Sequence, residues 1–185
     1  MRQSTLAFGL LLLAAACASA AAAIGAPLSP VAGDASRRKA ADSYRREIQR
    51  LRAETRYWQR VMGVEPSRAP MRRLEAASVE RLGTAARRWR RLARSASRRA
   101  HHPPFLEAWL CIHRHEGAWN DPGAPYYGGL QMDLSFQRAY GAWLLRRKGT
   151  ADHWTPLEQI WTAVRAHRAR GFAPWPRTAR SCGLT

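Results

Sequence analysis

Cys111-Ile112-His113-Arg114-His115-Glu116-Gly117 reads as the last turns of a helix that a glycine stops. Pro104 opens this helix, and Phe105, Trp109 and Ile112 fall on one side of it. A helical zinc-protease motif, His-Glu-x-x-His, would need histidine at 119, where the chain has Trp119. His113 and His115 are two apart, so they face different sides of the helix and cannot grip one ion together; no metal is expected. Glu116 differs in its setting. It ends the helix beside a glycine without side-chain bulk and close to aromatics, where a carboxyl group can lose water, as a general acid working near neutral pH requires, although most glutamates at helix ends stay solvated.

Downstream the chain is aromatic and turn-rich. From Pro104 onward it carries 12 of its 17 Phe, Trp and Tyr residues. Asn120-Asp121-Pro122-Gly123 through Tyr126-Tyr127-Gly128-Gly129 predicts short strands or a loop. Ser135 is a candidate cap for a helix ending near Lys148-Gly149. Thr155-Pro156-Leu157-Glu158 is a capping box with proline at the first helical position, which predicts a final helix to about Arg168. The tail Phe172-Ala173-Pro174-Trp175-Pro176 reads as extended.

Upstream the chain is basic. Its 185 residues include 31 Lys+Arg and 13 Asp+Glu, a net charge of +18. Residues 34–100 hold +13 of this and residues 101–185 only +4. Tyr44, Ile48, Leu51, Thr55, Trp58 and Met62 form one apolar stripe of a helix that Gly63 and Pro66 stop. Ser67 and Pro70 predict the start of a second helix, with Met71, Leu74, Leu82, Trp89 and Leu92 as its stripe. Together they suggest a basic antiparallel hairpin over residues 34–100. Met1-Arg2, the apolar run Leu6 to Ala16 and Ala18-Ser19-Ala20 read as a signal peptide over residues 1–20. A retained anchor through Ile24 and a lipid-modified Cys17 are its rivals. Cleavage leaves Cys111 and Cys182, an even pair in a chain expected outside the cytoplasm, where a disulfide persists.

A resemblance links these segments. Cys111 to Glu116, then Tyr126-Tyr127-Gly128-Gly129-Leu130-Gln131, then Thr155 to Gln159, and finally Trp175-Pro176 with Cys182, look like the transglycosylase-like domain of the resuscitation-promoting factor family. Here Glu116-Gly117-Ala118-Trp119 stands where many members read Glu-Ser-Gly-Gly-Asn-Trp. The resemblance covers residues 104–185 and implies an α+β, mostly α, compact lysozyme-like fold that binds peptidoglycan glycan in a groove. It also implies that Glu116 is the catalytic glutamate and that Cys111 and Cys182 are the family's disulfide. Gly128 and Gly129 would let a sugar approach the backbone, and Gln131 would hydrogen-bond an acetamido group. Trp119, Tyr126, Tyr127 and Trp175 would stack on sugar faces, whereas Trp109, Trp143 and Trp161, at helical positions, are expected in the core.

The expected function is a secreted or wall-associated enzyme, without a cofactor, that cleaves the bond between N-acetylmuramic acid and N-acetylglucosamine. A second carboxylate usually assists such cleavage. Asp121 and Asp133 are the candidates, although both residue types are common in turns and caps. A non-catalytic peptidoglycan-binding module of the same fold is the first alternative. An arginine-rich nucleic-acid binder is the second, and it must set aside the signal and the cysteine pair. The basic hairpin is expected to tether the protein to an anionic wall polymer or membrane surface.

Overall fold

The computed structural model describes residues 30–67, 74 and 76–184. The expected signal peptide, with its anchor and lipidation alternatives, lies outside them. The chain is mostly helical with one small sheet, as expected of an α+β, mostly α fold. Helix α1 (Pro30–Met62) and helix α2 (Val79–Ala100) form the basic hairpin. After them come α3 (Leu106–Glu116), strands β1 (Tyr126–Tyr127) and β2 (Met132–Asp133), α4 (Leu134–Lys148), a 3-10 turn at Ala151–His153, α5 (Pro156–Arg170) and α6 (Pro176–Ser181).

The hairpin forms because two stripes of helical period meet. Ile48 and Leu51 on α1 are buried against Leu82, Ala86, Trp89 and Ala93 on α2, a 4,3,4 spacing that keeps one face inward. Most of the arginines are left facing water, but Arg52 lies over the Trp89 ring and Arg90 donates two hydrogen bonds of 2.6 Å to Glu47 across the pair. Helix α2 starts later than the position of Ser67 suggests. Ser67 is drawn back onto α1, where its backbone N–H donates to Gln59 Oε1 and its hydroxyl accepts from Gln59 Nε2. Ser78 is the cap instead, accepting from the backbone of Arg81. Pro70 and Met71 lie outside the described residues.

The hairpin does not stand apart from the aromatic half. Val61 and Met62 at the end of α1, and Ala96 and Ala100 at the end of α2, are buried in the same core as Trp109, Ile112, Leu130, Phe136 and Trp161. The seam is also polar. Trp161 Nε1 donates to the Ala100 carbonyl at 2.8 Å, and Arg165 donates from Nε to Tyr140 O and from Nη1 to Val61 O, closing the last turn of α1. Burial pulls the Arg165 guanidinium down to about 10, with the nearby Arg168 charge adding to it.

Glu158 is the second polar tie. The expected capping box is present: Glu158 N donates to Thr155 Oγ1, and Thr155 N donates to Glu158 Oε2 at 2.7 Å. The same buried carboxylate accepts from Lys148 Nζ at 2.7 Å and from the Tyr57 hydroxyl at 2.8 Å, so one side chain joins α4, α5 and α1. Burial alone would raise its pKa, but hydrogen bonds from Lys148, the Thr155 backbone and Tyr57 outweigh it and leave the carboxyl below its ordinary range. A lowered carboxyl pKa stabilises the fold above the unfolded value, near ~4.3, and that contribution is lost as pH falls through the lower folded value. Glu158→Ala should destabilise the protein by about 3 kcal/mol at pH 7, because Lys148 and Tyr57 lose their partner. Thermal melts of wild type and variant from pH 7 to pH 3 check this: the gap should narrow below about pH 4.

Two other expectations change. Helix α4 is capped by Asp133, whose Oδ1 accepts from Phe136 N at 2.7 Å and from the Ser135 hydroxyl at 2.6 Å, so Ser135 supports the cap without being it. The tail is turned rather than extended: Trp175 N donates to Phe172 O, and Pro176 starts α6.

Candidate functional site

Glu116 is the last residue of α3 and is half-buried. Gly117 follows at φ +153°, a conformation closed to side chains, and a Cβ there would lie 3.2 Å from Gln131 Nε2 and 3.3 Å from Asp121 Oδ2. A glycine at this point therefore brings the Gln131–Asp121 pair up against the end of the helix. The other side of Glu116 is set by α6. The Cys111–Cys182 disulfide, with Cα atoms 6.1 Å apart, holds α6 beside α3. Thr178 lies one helical turn before Cys182 and donates its hydroxyl to Glu116 Oε1 at 2.8 Å.

That hydroxyl suits both protonation states of Glu116. Thr178 Oγ1 also lies 3.4 Å from the Trp175 carbonyl. Its single proton points to Glu116 when the latter is a carboxylate; turned toward Trp175 O, the oxygen is left to accept from a carboxylic acid. Thr178 carries no motif that sequence reading would single out. The available signal is its position four residues before a cysteine paired with the helix of Glu116.

Both candidate second carboxylates are occupied. Asp133 caps α4, and the hydrogen bonds from Ser135 and then from the Phe136 backbone hold its carboxyl below the ordinary aspartate range. Asp121 accepts from Gly123 N through Oδ1 and from Gln131 Nε2 through Oδ2 at 2.8 Å. Of the two, Asp121 is the one that reaches Gly117, the residue after Glu116.

The expected sugar-binding residues fall into two groups. Tyr126 is half exposed and, with Gln131, Asp133, Tyr140 and Arg170, lines a cavity of about 300 Å3 beside the two-stranded sheet, where Tyr126 pairs with Asp133. Gln131 spends both amide protons inside the protein, on Asp121 and on Gly128 O, and offers only its carbonyl Oε1 to a ligand. Glu116 does not line this cavity. Tyr140 and Arg170 carry no motif, and only the packing of α4 against the end of α5 reveals them.

The second group serves the interior. Trp175 is 4% exposed, donates from Nε1 to Leu130 O, and meets Trp109 and Phe136 edge-on, so its ring is a core element at the cavity floor and not a stacking platform. Gly128 and Gly129 are buried, and the space beside them is filled by the protein itself. A Cβ on Gly128 would meet Gln159 at 2.5 Å, and one on Gly129 would meet His113 at 2.5 Å and Trp119 at 2.8 Å. No sugar reaches those positions. Trp119 stacks on His113 with ring centroids 3.8 Å apart, which leaves at most one indole face for a ligand. Tyr127 is partly buried against the core. Trp109 and Trp161 are buried as expected; Trp143 is only partly so, lying under Arg60 and Arg147.

Gly129→Ala should lower stability by about 1–3 kcal/mol, because the stacked His113–Trp119 pair must shift to admit the methyl group. A chemical denaturation midpoint equal to that of wild type would contradict this packing.

No protein-family model matches the chain, and no curated protein does. The geometry therefore carries the functional reading. Sulfur and nitrogen atoms of Cys111, Cys182 and His115 lie within 4.8 Å of one another, but the two sulfurs are bonded together and neither is available as a thiolate ligand.

Proposed function

We propose that this protein cleaves the glycan strands of peptidoglycan outside the cytoplasmic membrane, with Glu116 as general acid and then general base. The observation that carries the reading is the Glu116–Thr178 contact, a half-buried carboxyl whose hydroxyl partner serves the acid and the base form alike. In the first step the Glu116 carboxylic acid gives its proton to the glycosidic oxygen as the bond from that oxygen to the muramic acid C1 breaks. In the second, the carboxylate takes the proton of the muramic acid 6-hydroxyl, whose oxygen closes on C1 to form an anhydro ring. This route needs one titrating carboxylate. It fits a site in which Asp121 and Asp133 are held by backbone and side-chain donors. Water attack on C1 is the hydrolytic variant.

The placement outside the membrane rests on the N-terminal sequence and the cysteine pair. Among the described residues, no helix is long and apolar enough to cross a membrane.

One observation favours a second reading, a peptidoglycan-binding module without turnover: the 300 Å3 cavity beside Tyr126 and Gln131 is lined without Glu116. Incubation with purified sacculi separates the two. The catalytic reading predicts soluble muropeptides that increase with time. Protein that co-sediments with sacculi and releases nothing would favour the module.

A further inference from the structure

The end of α2 meets α5 near Pro104, at the start of α3, so this junction lies about 16 Å along α3 from Glu116. A groove of about 540 Å3 opens there, lined by Arg98, Arg99, His102, Pro104, Trp161 and Arg168. All three arginines are exposed, and none of their guanidinium groups is paired with a carboxylate among the described residues. Arg90, by contrast, is neutralised by Glu47. His102 Nδ1 lies 2.7 Å from the Arg98 carbonyl, which can only accept, so Nδ1 carries a proton and spends it inside the protein, which leaves the arginines as the anion-binding groups. The Trp161 ring is fixed by its bond to Ala100 O and gives the groove a rigid wall.

The groove continues a charged ridge. Arg87, Arg91, Arg94 and Arg98 are all exposed and recur at 4,3,4 spacing, so they stand in one row along α2. Successive members of this row rise about 4.5–6 Å, and the row covers about 16 Å before it enters the groove. A line of guanidinium groups leading into a concave seam matches a linear anion. The seam is shallow and open, so a chain-like anion can run from the ridge into it. Guanidinium forks bind phosphate oxygens two at a time, which is the strongest hydrogen bonding this side chain offers.

We propose that the α2 ridge and the α2–α5 groove bind a linear phosphodiester polymer of the cell wall, of the polyol-phosphate type. The site uses neither Glu116 nor the cavity beside Tyr126. The choice of a wall polymer over nucleic acid rests on the proposed location outside the membrane.

The test is binding of labelled poly(glycerol phosphate) to the full chain, measured by fluorescence anisotropy. An oligothymidylate of equal charge and phosphatidylglycerol vesicles are the comparison ligands. Arg98→Glu with Arg168→Glu should weaken polymer binding about a hundred-fold, roughly ten-fold for each charge-assisted contact removed. Lys39→Glu with Arg46→Glu makes the same change in net charge on exposed residues of α1 and should weaken it by less than about three-fold. All four side chains are exposed, so thermal melts should verify intact folding. Equal losses in the two double variants would overturn the site, since a diffuse field would then account for binding. Tighter binding of the oligonucleotide or of the vesicles would overturn the choice of polymer. Glu116→Gln should bind the polymer as wild type does, which separates failure of this proposal from failure of the catalytic one.

Discussion

Glu116→Gln should abolish release of soluble muropeptides from purified sacculi, lowering the rate by about three orders of magnitude or more. General acid–base catalysis by one positioned group commonly contributes ~10²–10⁴-fold, and here one group serves both proton transfers. The amide keeps the shape of the carboxyl and still accepts from Thr178 through its oxygen. Folding should therefore change little, by less than ~0.5 kcal/mol. Loss of activity with an unchanged melt is the expected pair of results. Equal product release by variant and wild type would remove Glu116 from the chemistry.

Replacing both Cys111 and Cys182 by serine should have the largest effect on stability. The bond joins residues 71 apart, and releasing a loop of that length costs about 4 kcal/mol in chain entropy. For a chain of this size that corresponds to a fall in melting temperature of roughly 10–15 °C. The loss should not stay local. Helix α6 has six residues, too few to persist without its tie to α3, and it carries Thr178 to Glu116. Activity of the folded fraction should fall as well, measured below the new transition. A melt indistinguishable from that of wild type would contradict this account of the tail.

The parts of the fold legible in the sequence are those decided by neighbours along the chain. The capping box at Thr155 and Glu158, the glycine stop after Glu116 and the stripe from Tyr44 to Met62 each sit within a few turns of one helix, and each is present. Expectation and structure differ where a nearby side chain competes for the same backbone group. Ser67 is taken up by the side chain of Gln59, folded back from α1, and α2 begins after Ser78. At the start of α4, Asp133 outcompetes Ser135 because a carboxylate accepts from both the Phe136 backbone and the Ser135 hydroxyl.

The candidate site was less legible because its contacts join distant segments. Glu116 stands out locally, but Thr178 reaches it from 62 residues away. Glycines and aromatics in a loop suggest an open sugar surface. Here Gly128 and Gly129 instead admit Gln159, His113 and Trp119, and Trp175 turns inward because Pro176 starts a helix immediately after it. The +18 charge likewise says only that some anion is attracted. The fold separates arginines already neutralised, such as Arg90, from those left unpaired around one groove.

The most direct test of the catalytic account is mass spectrometry of the soluble fraction after wild-type protein has been incubated with purified sacculi. The account predicts muropeptides that end in 1,6-anhydro-muramic acid and accumulate with time. Sacculi that remain intact with protein bound to them, or fragments carrying reducing N-acetylglucosamine ends, would contradict it.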